Sequence, residues 1–186
     1  MTATRLLILG AVRERGFAHG YQVRRDLESW SVGLWGSLKQ GSIYHGLNRL
    51  HDQGLVCERA GTGAPAGPAR TEYSLTAAGE REFVALLETS LSSADDGLAG
   101  AIAGIGFMTA LPRDRVLVLL RDRLEAYREK RARVVGEYER SPEADWQHHI
   151  EAIRLWASTA DGAIAWTQEL IDRLEGGAYT MAGEGP

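Results

Sequence analysis

The periodicity of the chain changes at residue 55, and this change restricts the fold more than any other feature. Up to Gly54 apolar residues recur at helical spacing, first Leu6, Leu7, Leu9 and Val12, then Val23, Leu27 and Trp30, then Ile43, Leu47 and Leu50. Gly16 and the His19-Gly20 pair separate the first run from the second, a polar Gly-rich connector over 31–41 separates the second from the third, and Gly54 supplies a helix stop. Beyond it "LVCER" and "RTEYSL" read as short strands around "AGTGAPAGPA", whose three glycines and two prolines suit a long hairpin loop. Three short helices followed by a hairpin is the order of a winged helix-turn-helix, whose third helix enters the DNA major groove while the wing reaches along the backbone.

The rest of the chain has a different rhythm. Thr76 is placed to cap a helix over "AAGEREFVALLETSL", and Ser92 to Gly106 is a small-residue linker with some helical character. From Pro112, the positions Leu117, Leu120, Leu124, Tyr127, Arg131, Val134 and Tyr138 step by threes and fours, and Ser141-Pro142 opens a second such run from Trp146 to Leu174. Two long antiparallel helices are expected. The last is also apolar off its seam, at Leu155, Trp156, Trp166 and Leu170, and a second chain is the economical cover. The Gly-rich tail from Gly176 is expected to fray. The fold class is therefore mainly α with a small β-hairpin. Residues 1–90 form a winged helix-turn-helix domain, and residues 91–186 form a helical dimerisation domain that could also bind an effector.

Charge places any nucleic-acid surface in the first half. Overall the 186 residues carry a formal charge of −4, but residues 1–85 hold 10 Lys+Arg against 8 Asp+Glu, and residues 86–186 hold 11 against 17. No apolar run approaches the ~20 residues of a membrane-spanning helix. A single cysteine excludes an intramolecular disulfide, and no secretory leader pattern is present, so a cytoplasmic location is expected.

On the third helix, with Ile43 pointing inward, Leu47 and Leu50 fall within about 40° of it, and Tyr44, His45, Asn48, Arg49 and Asp52 span roughly 100° to 240°. Gln40, Ser42 and the free amides at the helix start can donate to phosphate. Asn48 and Arg49 suit bidentate adenine and guanine edges, and Tyr44 can place its ring on a sugar and its hydroxyl on a phosphate. Taken alone, this face reads equally well as the solvated side of a core helix; the surrounding architecture favours DNA.

The segments "HGYQ" at 19–22, "GSIYHGLNRLHDQGLV" at 41–56 and "GPARTEYSLTAAGERE" at 67–82 resemble the PadR family of bacterial transcriptional regulators. The resemblance covers residues 1–90. It implies a winged helix-turn-helix, a helical C-terminal dimerisation domain, and a homodimer binding an inverted repeat in double-stranded DNA as a repressor or, less often, an activator. Ser42 and Tyr44 match the family's recognition-helix motif and Arg70 its basic wing position; Gln40, Asn48 and Arg49 come from the helical geometry. Family members commonly carry proline after the recognition tyrosine, where this chain has His45 and Gly46, so a base preference does not carry over.

Other chemistry is poorly supported. His148 and His149 are adjacent and would diverge by about 100° on a helix, and no HExxH or paired cysteines accompany them, so no metal is expected. No phosphate-binding glycine loop, cofactor motif or catalytic constellation appears, so an enzyme is not expected. Cys57 reads as a buried small hydrophobe, with a redox sensor as the sharper alternative. Trp146, Trp156 and Trp166 rotate by about −80° at each step and cannot form one wall; core or dimer packing is favoured, and Trp156 or Trp166 lining a pocket for a small aromatic or hydrophobic effector is the alternative. A different class of function, a winged-helix dimer that binds protein or ligand without specific DNA binding, also fits the pattern.

Overall fold

Seven consecutive residues from Leu6 to Val12 are buried, so the first helix, α1 (Thr2–Arg15), has no solvent face along its middle and serves as the axis of the N-terminal unit. The computed structural model describes residues 2–36, 40–60, 71–140 and 147–185. Around α1 pack α2 (Gly20–Ser29), α4 (Gln40–Asp52) and, through β1 (Ala18–His19) and β3 (Thr71–Leu75), a small sheet completed by β2 (Val56–Ala60), while the single turn α3 (Val32–Trp35) sits against α2. Helices α5 (Ala77–Ser92) and α6 (Gly97–Gly106) follow. Val23 and Leu27 from α2, Ile43, Leu47 and Leu50 from α4, and Phe83 and Leu87 from α5 complete the core of this unit.

The sheet has three strands in the order β1-β3-β2, all antiparallel. Two of them are the expected hairpin. The third, Ala18–His19, is too short to show alternation in sequence and exists because Ala18 pairs with Tyr73 and His19 with Glu72. Likewise the connector after α2 holds the turn α3, so four helical segments precede residue 55, where three were expected. Gly54 ends α4 with φ +69, and the Leu55 amide donates back to the Leu50 carbonyl at 2.9 Å, the closure that a left-handed glycine permits. Thr76 caps α5 by accepting from the Gly79 amide at 3.1 Å, and its hydroxyl donates to the Gly54 carbonyl at 2.7 Å, tying the end of α4 to the start of α5.

By its contacts the chain forms two units, residues 1–90 with 96–107, and residues 91–95 with 108–186. Helix α6 thus packs with the N-terminal unit, although the sequence grouped everything beyond 90 together. The close approach that makes this packing is local. A Cβ on Gly10 would lie 2.2 Å from the tip of the Phe107 ring, so only glycine lets that ring sit against α1. Phe107 meets Trp30 and Phe83 edge-on, at centroid separations of 5.5 and 5.6 Å.

The C-terminal unit pairs α7 (Arg113–Glu139) with α8 (Ile150–Glu175). They run antiparallel, since Arg113 reaches the Leu174 carbonyl while Arg131 pairs with Asp161. Full burial on α7 falls on Val116, Leu119, Leu120, Arg123 and Leu124, in its first half, while Leu117, Tyr127, Arg131, Val134 and Tyr138 of the expected seam are half-buried. The tail is ordered where fraying was expected. Arg113 donates to the carbonyls of Leu174, Ala178 and Tyr179 and makes two bonds to Glu184, and Met181 is 2% exposed. This clamp folds 176–184 against the start of α7.

Candidate nucleic-acid interface

Helix α4 divides as the spacing predicts. Ile43, Leu47 and Leu50 are at most 3% exposed, and Ser42, Tyr44, His45, Asn48, Arg49 and Asp52 all lie at the surface. Gln40 opens the helix, with its side chain outside the described residues, as is the whole of Arg70. The face therefore gathers five of the seven predicted residues, Ser42 to Arg49, on about two turns of one helix. Among the described residues, the side chains of His45, Asn48 and Arg49 have no hydrogen bond or ion pair, so their donors and acceptors are available to a partner.

Tyr44 has a defined seat. Its ring lies against the first residue of α2, where a Cβ on Gly20 would come within 2.6 Å of a ring carbon. The absence of a side chain at Gly20 lets the ring approach the backbone closely while 44% of the residue stays exposed. The rest of the "HGYQ" segment has equally local duties. The Gln22 side chain accepts from the His19 amide at 2.8 Å, one half of a capping box, and the His19 Nδ1–H donates to the Thr71 carbonyl at 3.2 Å, with Nε2 3.5 Å from Glu72. His19 thus joins the start of α2 to the root of the wing.

Sequence reasoning did not single out the cation–aromatic pairs on α2 and β2. Arg59 on β2 stacks over the Phe17 ring at 3.3 Å and pairs with Glu72 at 2.7 Å, and Arg24 lies over the Tyr21 ring at 5.0 Å. Phe17 and Tyr21 are about half exposed, and Arg25 is exposed on α2. The available signal was the pair of aromatics flanking a turn, Phe17 after Gly16 and Tyr21 after Gly20, positions where burial has no reason to place them.

Cys57 corrects an expectation: it is exposed on β2, with its sulfur 3.1 Å from the Ser74 hydroxyl. Pairing of Val56 with Leu75 turns Val56 inward and so turns Cys57 out. On α8, Trp156 is half-buried and Trp166 is 43% exposed. Among the described residues no group of three or more His, Cys, Asp or Glu is placed to hold a metal ion, and no helix is long and apolar enough to cross a membrane.

Residues 8–85 match the model of the transcriptional regulator PadR-like family. Similar solved structures include Bacillus subtilis PadR in complex with operator DNA, at 20% identity and TM-score 0.43 over 91% of this chain and 98% of that one. The same protein in complex with p-coumaric acid is similar at 21% identity and TM-score 0.41, over 93% and 99% of the two chains. A PadR-like transcriptional regulator from Bacillus cereus is similar at 16% identity and TM-score 0.40, over 94% and 99%. No curated protein sequence matches the chain. The match falls on the segment that runs from within α1 through α4 and the hairpin strands into α5, and over residues 8–85 this chain is similar to the transcriptional regulator PadR-like family.

Proposed function

We propose that this protein is a DNA-binding transcriptional regulator, a repressor that binds an inverted-repeat operator as a homodimer, with α4 of each copy in a major groove. The observation that carries this reading is the exposed α4 face, on which His45, Asn48 and Arg49 have no partner among the described residues while Tyr44 is braced against Gly20. Ser42 and the first amides of α4, including that of Gln40, would position the helix on phosphate, Asn48 and Arg49 would read base edges, and Arg70 would follow the backbone from the wing. A DNA partner also accounts for a cytoplasmic location.

The homodimer is the cover for α8. Leu155 is 71% exposed and Trp166 43%, and eleven residues bring them within about 20° of the same helical line. A second copy would remove both from water and set the spacing of the two recognition helices. Release by a small aromatic or hydrophobic effector, with one or both of Trp156 and Trp166 contributing, completes the reading, and by no more than the effector's differential affinity for the two dimer geometries.

The test is binding of the full chain to DNA from its own promoter and to scrambled DNA at two salt concentrations, with mass in solution measured on the same sample. A dimer that prefers the promoter, with affinity falling steeply with salt, is expected. A folded dimer indifferent to both DNAs and to salt would overturn the reading.

A further inference from the structure

The N-terminal unit contains a cavity of about 220 Å³ away from the α4 face, lined by Leu7 and Glu14 of α1, Trp30 and Trp35 at either end of the α2–α3 turn, and Ile102, Ala103, Gly106 and Phe107 of α6. Its walls are aromatic and aliphatic. The Trp35 indole N–H donates to the Trp30 carbonyl at 3.2 Å, which fixes that ring and uses its one donor. Phe107 is held by its edge-on contacts with Trp30 and Phe83.

The single charged side chain of the lining is Glu14, which is partly exposed to solvent. Both neighbouring arginines are engaged elsewhere, Arg13 with Glu80 at 2.9 Å and Arg15 with both carboxylate oxygens of Asp26. Among the described residues Glu14 makes no hydrogen bond or ion pair. Partial burial, and then the nearby negative charge of Asp26, push its carboxyl above the ordinary range against the opposing charges of Arg13 and Arg15, so its negative charge is incompletely balanced. A cation in the cavity would supply that charge, and the ring faces would add cation–π attraction. An anion would meet Glu14 and find no cationic side chain in the lining.

We propose that this cavity binds a small aromatic cation, such as a protonated arylalkylamine, with Glu14 as counter-ion and Trp30, Trp35 and Phe107 as the walls against which its ring packs. The size agrees: an apolar cavity of about 150 Å³ holds benzene, so this one has room for a single ring and a short amino arm. The site stands on the geometry of the N-terminal unit and does not depend on DNA binding.

Calorimetric titration of the full-length protein with 2-phenylethylamine and with 3-phenylpropionate, probes of like shape and opposite charge, tests it. The amine is expected to bind at least tenfold more tightly than the acid, and Glu14→Gln is expected to erase that preference while leaving the melting temperature unchanged. Trp35→Ala should weaken the amine in the same way. No binding of the amine, a preference for the acid, or full amine affinity in Glu14→Gln would each overturn the proposal. Should Glu14→Gln fold poorly, the ratio of the two probes on the unsubstituted protein decides alone.

Discussion

The Tyr44 ring rests on the backbone of Gly20, in a space that a single methyl group at Gly20 would occupy, its Cβ falling 2.6 Å from a ring carbon. Two segments twenty-four residues apart are thereby one device: the start of α2 sets the pose of a side chain on α4. Gly20→Ala is expected to push Tyr44 off its seat and weaken DNA binding about tenfold, as Tyr44→Ala does, with little change in stability. In the Tyr44→Ala background, Gly20→Ala should cost nothing further. Affinities of the two single variants and the double variant check this, and additive losses would show that Gly20 acts through something other than Tyr44.

Arg49 and Asn48 are expected to differ from Ser42 in kind. Removing a base-reading side chain costs about 1–3 kcal/mol and relaxes sequence preference at one position, whereas loss of a phosphate contact weakens all sequences alike and lowers the salt slope. Arg49→Ala and Asn48→Ala should therefore narrow the gap between operator and scrambled DNA, and Ser42→Ala should not. Binding isotherms on both DNAs at several salt concentrations separate the two behaviours.

Leu155 and Trp166 share one line of α8 and face solvent within the single chain. If a second copy covers them, Leu155→Asp with Trp166→Asp should weaken dimerisation about 30-fold or more, the scale of removing an apolar hot spot. Sedimentation equilibrium reads the mass, and helical content by circular dichroism should be unchanged. An unaltered dimer would place the interface elsewhere.

Glu184 gives a pH dependence with a definite sign. The Arg113 guanidinium, followed by the Met181 amide, lowers its carboxyl from the ordinary 4.5 to about 2. A depressed folded pKa stabilises the protein above the unfolded value, and that contribution is lost as pH falls from about 4.5 towards 2. The pair is open to solvent, so the effect is screened and should shrink with salt. The melting temperature of the protein should exceed that of Glu184→Gln at pH 6 and converge with it near pH 2. A gap of constant size across that range would remove the ion pair as its cause.

Much of the N-terminal unit was legible because its determinants are short-range. Ile43, Leu47 and Leu50 lie seven residues apart at most, so their spacing alone turns Tyr44, His45, Asn48 and Arg49 outward. Gly54 and Thr76 declare the end of α4 and the start of α5 through backbone chemistry that each residue carries with it. The match over residues 8–85 falls on this same part of the chain.

What tertiary structure decided are the contacts between residues far apart in sequence. Strand β1 is two residues long and exists only through Tyr73 and Glu72; Cys57 faces outward because the register of β2 on β3 turns Val56 inward. The small-residue run 97–106, weakly patterned by itself, becomes a helix of the N-terminal unit through its packing with α1, beside Phe107 seated on Gly10. The tail is held by Arg113, some seventy residues upstream, whose guanidinium satisfies three carbonyls and Glu184 at once. By itself the sequence determined the helical periods, the caps and the outward face of α4, because these depend on neighbours within one or two turns. Strand partners, the seat of Tyr44 and the fold of the tail depend on which distant surfaces meet, and packing settles that only when the chain has closed on itself.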